Sequence, residues 1–180
     1  MANRVSFSGE EQSLEDIAHY YAAAESGLFG FFAGNSQALL DHYADVSLEE
    51  ARDKALSELG YTSSLSVLSS VEAAIRVDYL WRVYDRRPDS LSRAMKQLHR
   101  AKENRASLEE DLLFLWRNHS DVSGALISGL IGAFKYRHWL AHGRYWTPRF
   151  GRQYDFATVF EIAEEFIDAM DAYNGRRGRG

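Results

Sequence analysis

The chain has 180 residues, 46% of them hydrophobic and 13% aromatic, with two prolines and no cysteine. That is a globular composition, long enough for one domain with a substantial core. It excludes disulfides, thiolate metal sites and cysteine nucleophiles, and it suits a reducing compartment. The net charge of −5 argues on its face against a nucleic-acid partner, but the charge is polarised along the chain. Residues 1–78 carry 13 acids and 4 bases, residues 79–105 carry 8 bases and 3 acids, and residues 135–152 carry five bases and no acid. Basic segments can therefore form a local patch despite an acidic total, or simply a solvated helix face. The N-terminus lacks the apolar core of a signal peptide. The apolar run at 124–134 is well short of the ~20 residues that span a bilayer. The expectation is a soluble cytoplasmic protein with no membrane partner.

Taken in order, the segments read as helices almost throughout. Ser13, with Asp16 three residues on, starts a helix over SLEDIAHYYAAAES. GLFGFFAGN reads as a glycine-broken connection to a short helix near 35–44. Ser47 and Glu50 form a capping box for a helix that Gly60 is expected to close. Leu65, Leu68, Val71, Ile75 and Tyr79 then recur at spacings of three or four, predicting a long helix that ends before Pro88. Asp89 or Ser90 caps the next helix, and Ser107 with Glu110 suggests another capping box. A helix over 123–142 stops at Gly143, and a last one runs from near Asp155 to Tyr173. No segment alternates like a strand, and no internal repeat is present. The expected fold is an all-α, up-and-down helical bundle in a single domain. Residues 62–173 form its core, residues 11–60 a helical extension packed on it, and residues 174–180 a disordered tail.

KYRHWLAHGRYW, residues 135–146, is the segment that carries chemistry. Cations are favoured at a helix C-terminus, where the macrodipole is negative, and that alone would place several of these residues. A site is the other reading. His138 and His142 are four apart and share a helix face. Arg137 and His142 are five apart, about 140° around an ideal helix. They serve one site only if the helix unwinds near Gly143 or a second copy supplies half. Gly124, Ser128 and Gly132 leave one side of the same helix slim enough for a close internal or dimer contact.

YRHWLAHGRYW resembles the signature of the HEPN superfamily, small helical bundles widespread in toxin–antitoxin and phage-defence systems. The signature is an arginine, a polar residue, three further residues and a histidine, matched here by Arg137, His138 and His142. The resemblance covers this motif and the bundle at 62–173, not the residues before 60. It implies a metal-independent endoribonuclease whose site forms where two protomers of a homodimer meet, with no cofactor. Histidine exchanges protons near neutrality, and arginine binds phosphate oxygens bidentately. His142 is thus expected to transfer protons, Arg137 to hold phosphate, and His138 to orient or share either role. The resemblance also implies a supporting acidic residue on an earlier helix, here Glu72. Arg144, Tyr145, Arg149 and Arg152 are candidates to grip and stack RNA, or alternatively to form a folded aromatic loop capping the bundle. In HEPN toxins neutralised by a nucleotidyltransferase, a tyrosine stands two residues after the motif histidine. Arg144 occupies that place here, which favours a stand-alone RNase or another antitoxin or regulatory partner.

Two other readings compete. One is a non-catalytic HEPN-like adaptor or nucleotide-binding module. The other is zinc bound by His138 and His142, against which stand the missing glutamate after His138 and the lack of a third ligand. No metal is expected. Glu72–Arg76 and Asp78–Arg82 read as exposed i,i+4 pairs that support their helix.

Overall fold

Serine and aspartate side chains start several of the helices, at Ser13, Ser47 and Asp89 where the sequence marks them and also at Ser36. Ser13 accepts the Asp16 N–H, Ser36 that of Leu39, and Asp89 that of Ser92, while Ser47 and Glu50 complete a reciprocal capping box. The computed structural model describes residues 5–34, 36–85 and 87–177. Among these the α-helices are α1 (Leu14–Phe32), α2 (Gln37–His42), α3 (Leu48–Tyr84), α4 (Ser90–Lys102), α5 (Phe114–His119), α6 (Gly124–Ala141) and α7 (Phe156–Arg177), with no strand. The protein is an all-α helical bundle. None of its described helices is long and apolar enough to cross a membrane.

Several boundaries differ from the sequence reading. GLFGFF is not a connection but the end of α1. Gly60 closes nothing: α3 runs through it for 37 residues, ~55 Å, so the division expected at residues 60–62 falls inside one helix. A lone glycine costs a helix interior only about 1 kcal/mol, which the packing on either side outweighs. α7 continues past Tyr173 to Arg177, so the tail expected to be disordered from 174 is helical there, and residues 178–180 lie outside the described residues. Ser107 makes no side-chain cap. Its backbone N–H donates instead to Asp111 at 2.8 Å, and Leu108–Leu113 forms a π-turn leading into α5.

α3 is the spine, packed against α1, α4, α6 and α7. Of the predicted stripe, Leu68, Val71, Ile75 and Tyr79 are buried and Leu65 is half-buried. Ile17 of α1 belongs to the same core. Trp116 of α5 sits edge-on to Phe166 and Tyr173 of α7, at 6.0 and 5.4 Å.

The centre of the core is charged. Arg82 is 1% exposed, so the Asp78–Arg82 pair is not the solvated helix support the spacing suggested. Its Nε donates to Asp78 at 2.7 Å, and Nη1 donates to Asp89 at 3.1 Å and Ser92 at 3.0 Å. Nη2 donates to the Asn174 side chain, which in turn donates to Asp78 at 3.1 Å. The guanidinium also lies 5.3 Å from the rings of both Trp116 and Tyr173. Burial pushes the Asp78 carboxyl above its ordinary range against the opposing pull of Arg82 and Asn174. Burial acts the same way on Asp89, but hydrogen bonds from Ser92 and the charge of Arg82 outweigh it and hold that group low.

Two stability measurements check this account. Arg82→Met should cost about 3–5 kcal/mol in urea denaturation, because it leaves two buried carboxylates without their cation. At Gly60 a Cβ meets nothing within 4 Å and the backbone is helical. Gly60→Ala should therefore raise stability by about 0.5–1 kcal/mol, whereas a helix end at this glycine would make the change neutral or harmful.

Candidate functional site

The C-terminus of α6 is shaped by one backbone device. His142 leaves the helix at φ −92° and ψ 18°, and Gly143 takes φ +76°. The Gly143 N–H then reaches the Leu140 carbonyl at 3.2 Å and the Arg144 N–H reaches that of Trp139 at 3.1 Å. This is a Schellman motif, for which glycine suits the left-handed position. It reverses the chain immediately after the motif histidine.

The consequence is that Arg137 and His142 do not serve separate faces. Arg137, His138 and His142 line one open pocket of about 620 Å³, together with Glu72 from α3, Ser107, Glu109 and Glu110 from the start of the π-turn, and Phe134 of α6. The offset of an ideal helix is overcome within one chain, by the helix ending at Ala141 and by the reach of the arginine. The His138 and His142 rings are 4.2 Å apart. Arg137 Nη1 is 2.8 Å from one Glu72 oxygen, and Arg76 Nε donates to the other at 2.8 Å. Arg76 also donates to the Ala106 carbonyl at 3.3 Å, tying the carboxylate to the segment that bears the π-turn. Glu72 thus pairs with Arg137 of α6 and Arg76 of α3 at once.

The four residues expected to hold RNA separate. Arg144 turns away onto α3: it pairs bidentately with Glu58 at 2.8 and 3.0 Å and lies 4.6 Å from the Tyr61 ring. The Glu58 carboxylate, hydrogen-bonded to it, raises its pKa further. Arg152 lies over Tyr154 at 5.6 Å, outside the pocket. Tyr145 is 83% exposed and edge-on to Trp146. Arg149 alone borders the site, in an adjoining cleft of about 360 Å³ with Lys135, Trp146, Pro148 and Phe150. That cleft shares Glu109 and His138 with the first pocket, so His138 stands at the junction.

The rest of the loop packs as an aromatic cap. Trp139 Nε1 donates to the Trp146 carbonyl at 2.8 Å, and Tyr136 stacks on Tyr154 at 5.3 Å. Burial pushes the Tyr136 phenol up to about 12, so it stays neutral. Of the slim side of α6, Gly132 is already covered by the Tyr154 hydroxyl, an internal contact, while Gly124 and Gly129 face open space. Ser128 is engaged by Arg117 at 2.7 Å.

Ser107, Glu109 and Glu110 are site residues that the sequence did not mark as such. Glu110 looks like a capping partner in the sequence, and no local signal announces a π-turn, though such turns are frequent at functional sites. Among the described residues, no group of three or more His, Asp or Glu side chains is placed to hold a metal ion. Compared with known proteins, the chain matches no family model, no curated protein and no solved structure.

Proposed function

We propose that this protein is a metal-independent endoribonuclease of the HEPN type, acting in a toxin–antitoxin or phage-defence setting. The observation that carries the reading is the convergence of Arg137, His138, His142 and Glu72 on one open pocket. Cleavage needs the RNA 2′-OH deprotonated, the phosphorane charge balanced and the departing 5′-oxygen protonated. His142 suits proton transfer, and Arg137, oriented by Glu72, suits the charge that develops on the non-bridging oxygens. The products are a 2′,3′-cyclic phosphate and a 5′-hydroxyl. Arg149 and Lys135 would take a neighbouring phosphate, and Trp146 would stack a base in the adjoining cleft.

The ring spacing also supports a homodimer. Attacking and leaving oxygens lie roughly in line on opposite sides of phosphorus. Two imidazoles 4.2 Å apart leave no room for a phosphoryl group between them. One ring therefore acts on the substrate while the other orients it, and the group on the far side is drawn from the pocket's own carboxylates or from a second copy. A two-fold partner would supply a second His142 there.

A non-catalytic binding or adaptor role is the second reading, favoured by Glu109 and Glu110 beside Glu72, carboxylates that repel phosphate. Incubation of the purified chain with total RNA distinguishes the two. Cleavage in chelator with cyclic phosphate ends is expected, falling about 10²–10⁴-fold in His142→Ala; RNA bound but uncut supports the adaptor. Activity that disappears in chelator and returns with zinc or magnesium would overturn metal independence. For the dimer, inactive Arg137→Ala and inactive His142→Ala are mixed. If each site draws its arginine and histidine from different chains, mixed dimers regain activity. If each chain holds its own set and both sets are needed, mixing recovers nothing but the dimer persists in sedimentation. A strictly monomeric protein that cleaves RNA refutes the shared site.

A further inference from the structure

A second cavity lies away from this pocket. It is a groove of about 990 Å³ between the start of α1, the C-terminal half of α3 and the first half of α7. Its floor repeats at helical spacing: Ser70, Ala74, Val77 and Trp81 from α3, beside Phe160 and Ile167 from α7. The α3 row is ~16 Å long, or three turns. Ser70 and Ala74 put small side chains in its first half, and Trp81 at its other end is 43% exposed, a large apolar surface for a described core helix. The segment before α1 touches both ends of this row: Phe7 stacks on Trp81 at 5.7 Å, and Ser70 Oγ donates to the Gln12 carbonyl at 2.5 Å.

The rim carries one sign of charge. Glu11, Glu15, Glu164 and Asp168 line the groove, and no Lys, Arg or His does. None of these four makes an ion pair among the described residues. The acidic half of the chain, 13 acids to 4 bases over residues 1–78, supplies two of them and extends the same field.

We infer that this groove is the docking site for an amphipathic, cationic helix of a partner protein. Adjacent rows of side chains on two packed helices, one of them with small residues, accept a third helix by ridge-into-groove packing, read by apolar anchors at i, i+3, i+4 and i+7. Unpaired carboxylates on the rim select lysine and arginine flanking those anchors, and repel a second copy presenting the same acidic rim. The inference is independent of RNA cleavage, since no residue of the groove lines the pocket at the end of α6.

The test uses the full chain and a fluorescein-labelled helical peptide of about 18 residues, with Leu and Phe anchors flanked by Lys and Arg. A twin peptide carries Glu at every Lys and Arg position. Anisotropy at about 50 mM salt should show the cationic peptide binding at least roughly tenfold tighter than its twin. Glu164→Lys combined with Asp168→Lys should weaken it by roughly tenfold or more. Ala74→Trp, which fills the floor, should abolish binding. Glu164 and Asp168 are exposed, so their charge reversal leaves the core intact and keeps the test decisive whatever Ala74→Trp does to folding. Equal affinity for the two peptides, unchanged affinity in the charge-reversed protein, or no saturable binding of either peptide would overturn the inference. So would self-association that Ala74→Trp removes, which would make a second copy the occupant.

Discussion

Arg82 is the interaction around which the rest of the bundle is arranged. A guanidinium that is 1% exposed has lost its water and must find acceptors for its N–H groups within the protein. Its partners come from α3 itself, from the cap and first turn of α4, and from α7, with Trp116 of α5 on one of its faces. Hydrophobic burial can be met by many sets of rotamers, whereas this network is satisfied only where α3, α4 and α7 bring their acceptors to one guanidinium. It therefore sets where α4, α5 and α7 stand against the spine. Asp89 links two levels at once, capping α4 through the Ser92 N–H and accepting from Arg82.

With α3 and α7 fixed, α6 and the π-turn segment are fixed against α3, and the candidate site follows from that placement. Glu72 projects from the middle of the spine between two arginines from different origins, Arg76 one turn later on α3 and Arg137 from α6. Arg76 in turn holds the Ala106 carbonyl, so the pocket wall bearing Glu109 and Glu110 is anchored to the same carboxylate. The Schellman reversal completes the separation of roles. His142 stays with the pocket, while Arg144 is carried to Glu58 on the spine and fastens the loop there.

Much of this was legible. The helix starts at Ser13, Ser47 and Asp89, the apolar stripe of α3 and the stop at Gly143 all follow from local chemistry, because caps and periodicity act within a few residues. The cluster Arg137, His138 and His142 was legible as a pattern, whereas the ion pair of Arg137 with Glu72 joins residues 65 positions apart. Misreadings share one cause. Gly60, the GLFGFF segment and the residues after Tyr173 carry weak local stop signals, and contacts from other helices override them. The Asp78–Arg82 pair has the same i,i+4 spacing whether it is solvated or buried, and only the neighbours tell the difference.

The sequence by itself determined the all-α class, the main helix boundaries and the chemical inventory of the cluster at 135–146, since each depends on residue type and short-range spacing. Tertiary structure alone decided which of those groups share a space. Ideal helix geometry sets Arg137 and His142 about 140° apart. A helix end, a flexible arginine and a carboxylate on another helix bring them to one pocket, while Arg144, two residues on, is paired elsewhere. The π-turn that lends Glu109 and Glu110 to the pocket, and the acid-rimmed groove between α1, α3 and α7, exist only once distant segments pack. Spacing along a chain fixes faces of one helix, and sites are made between helices.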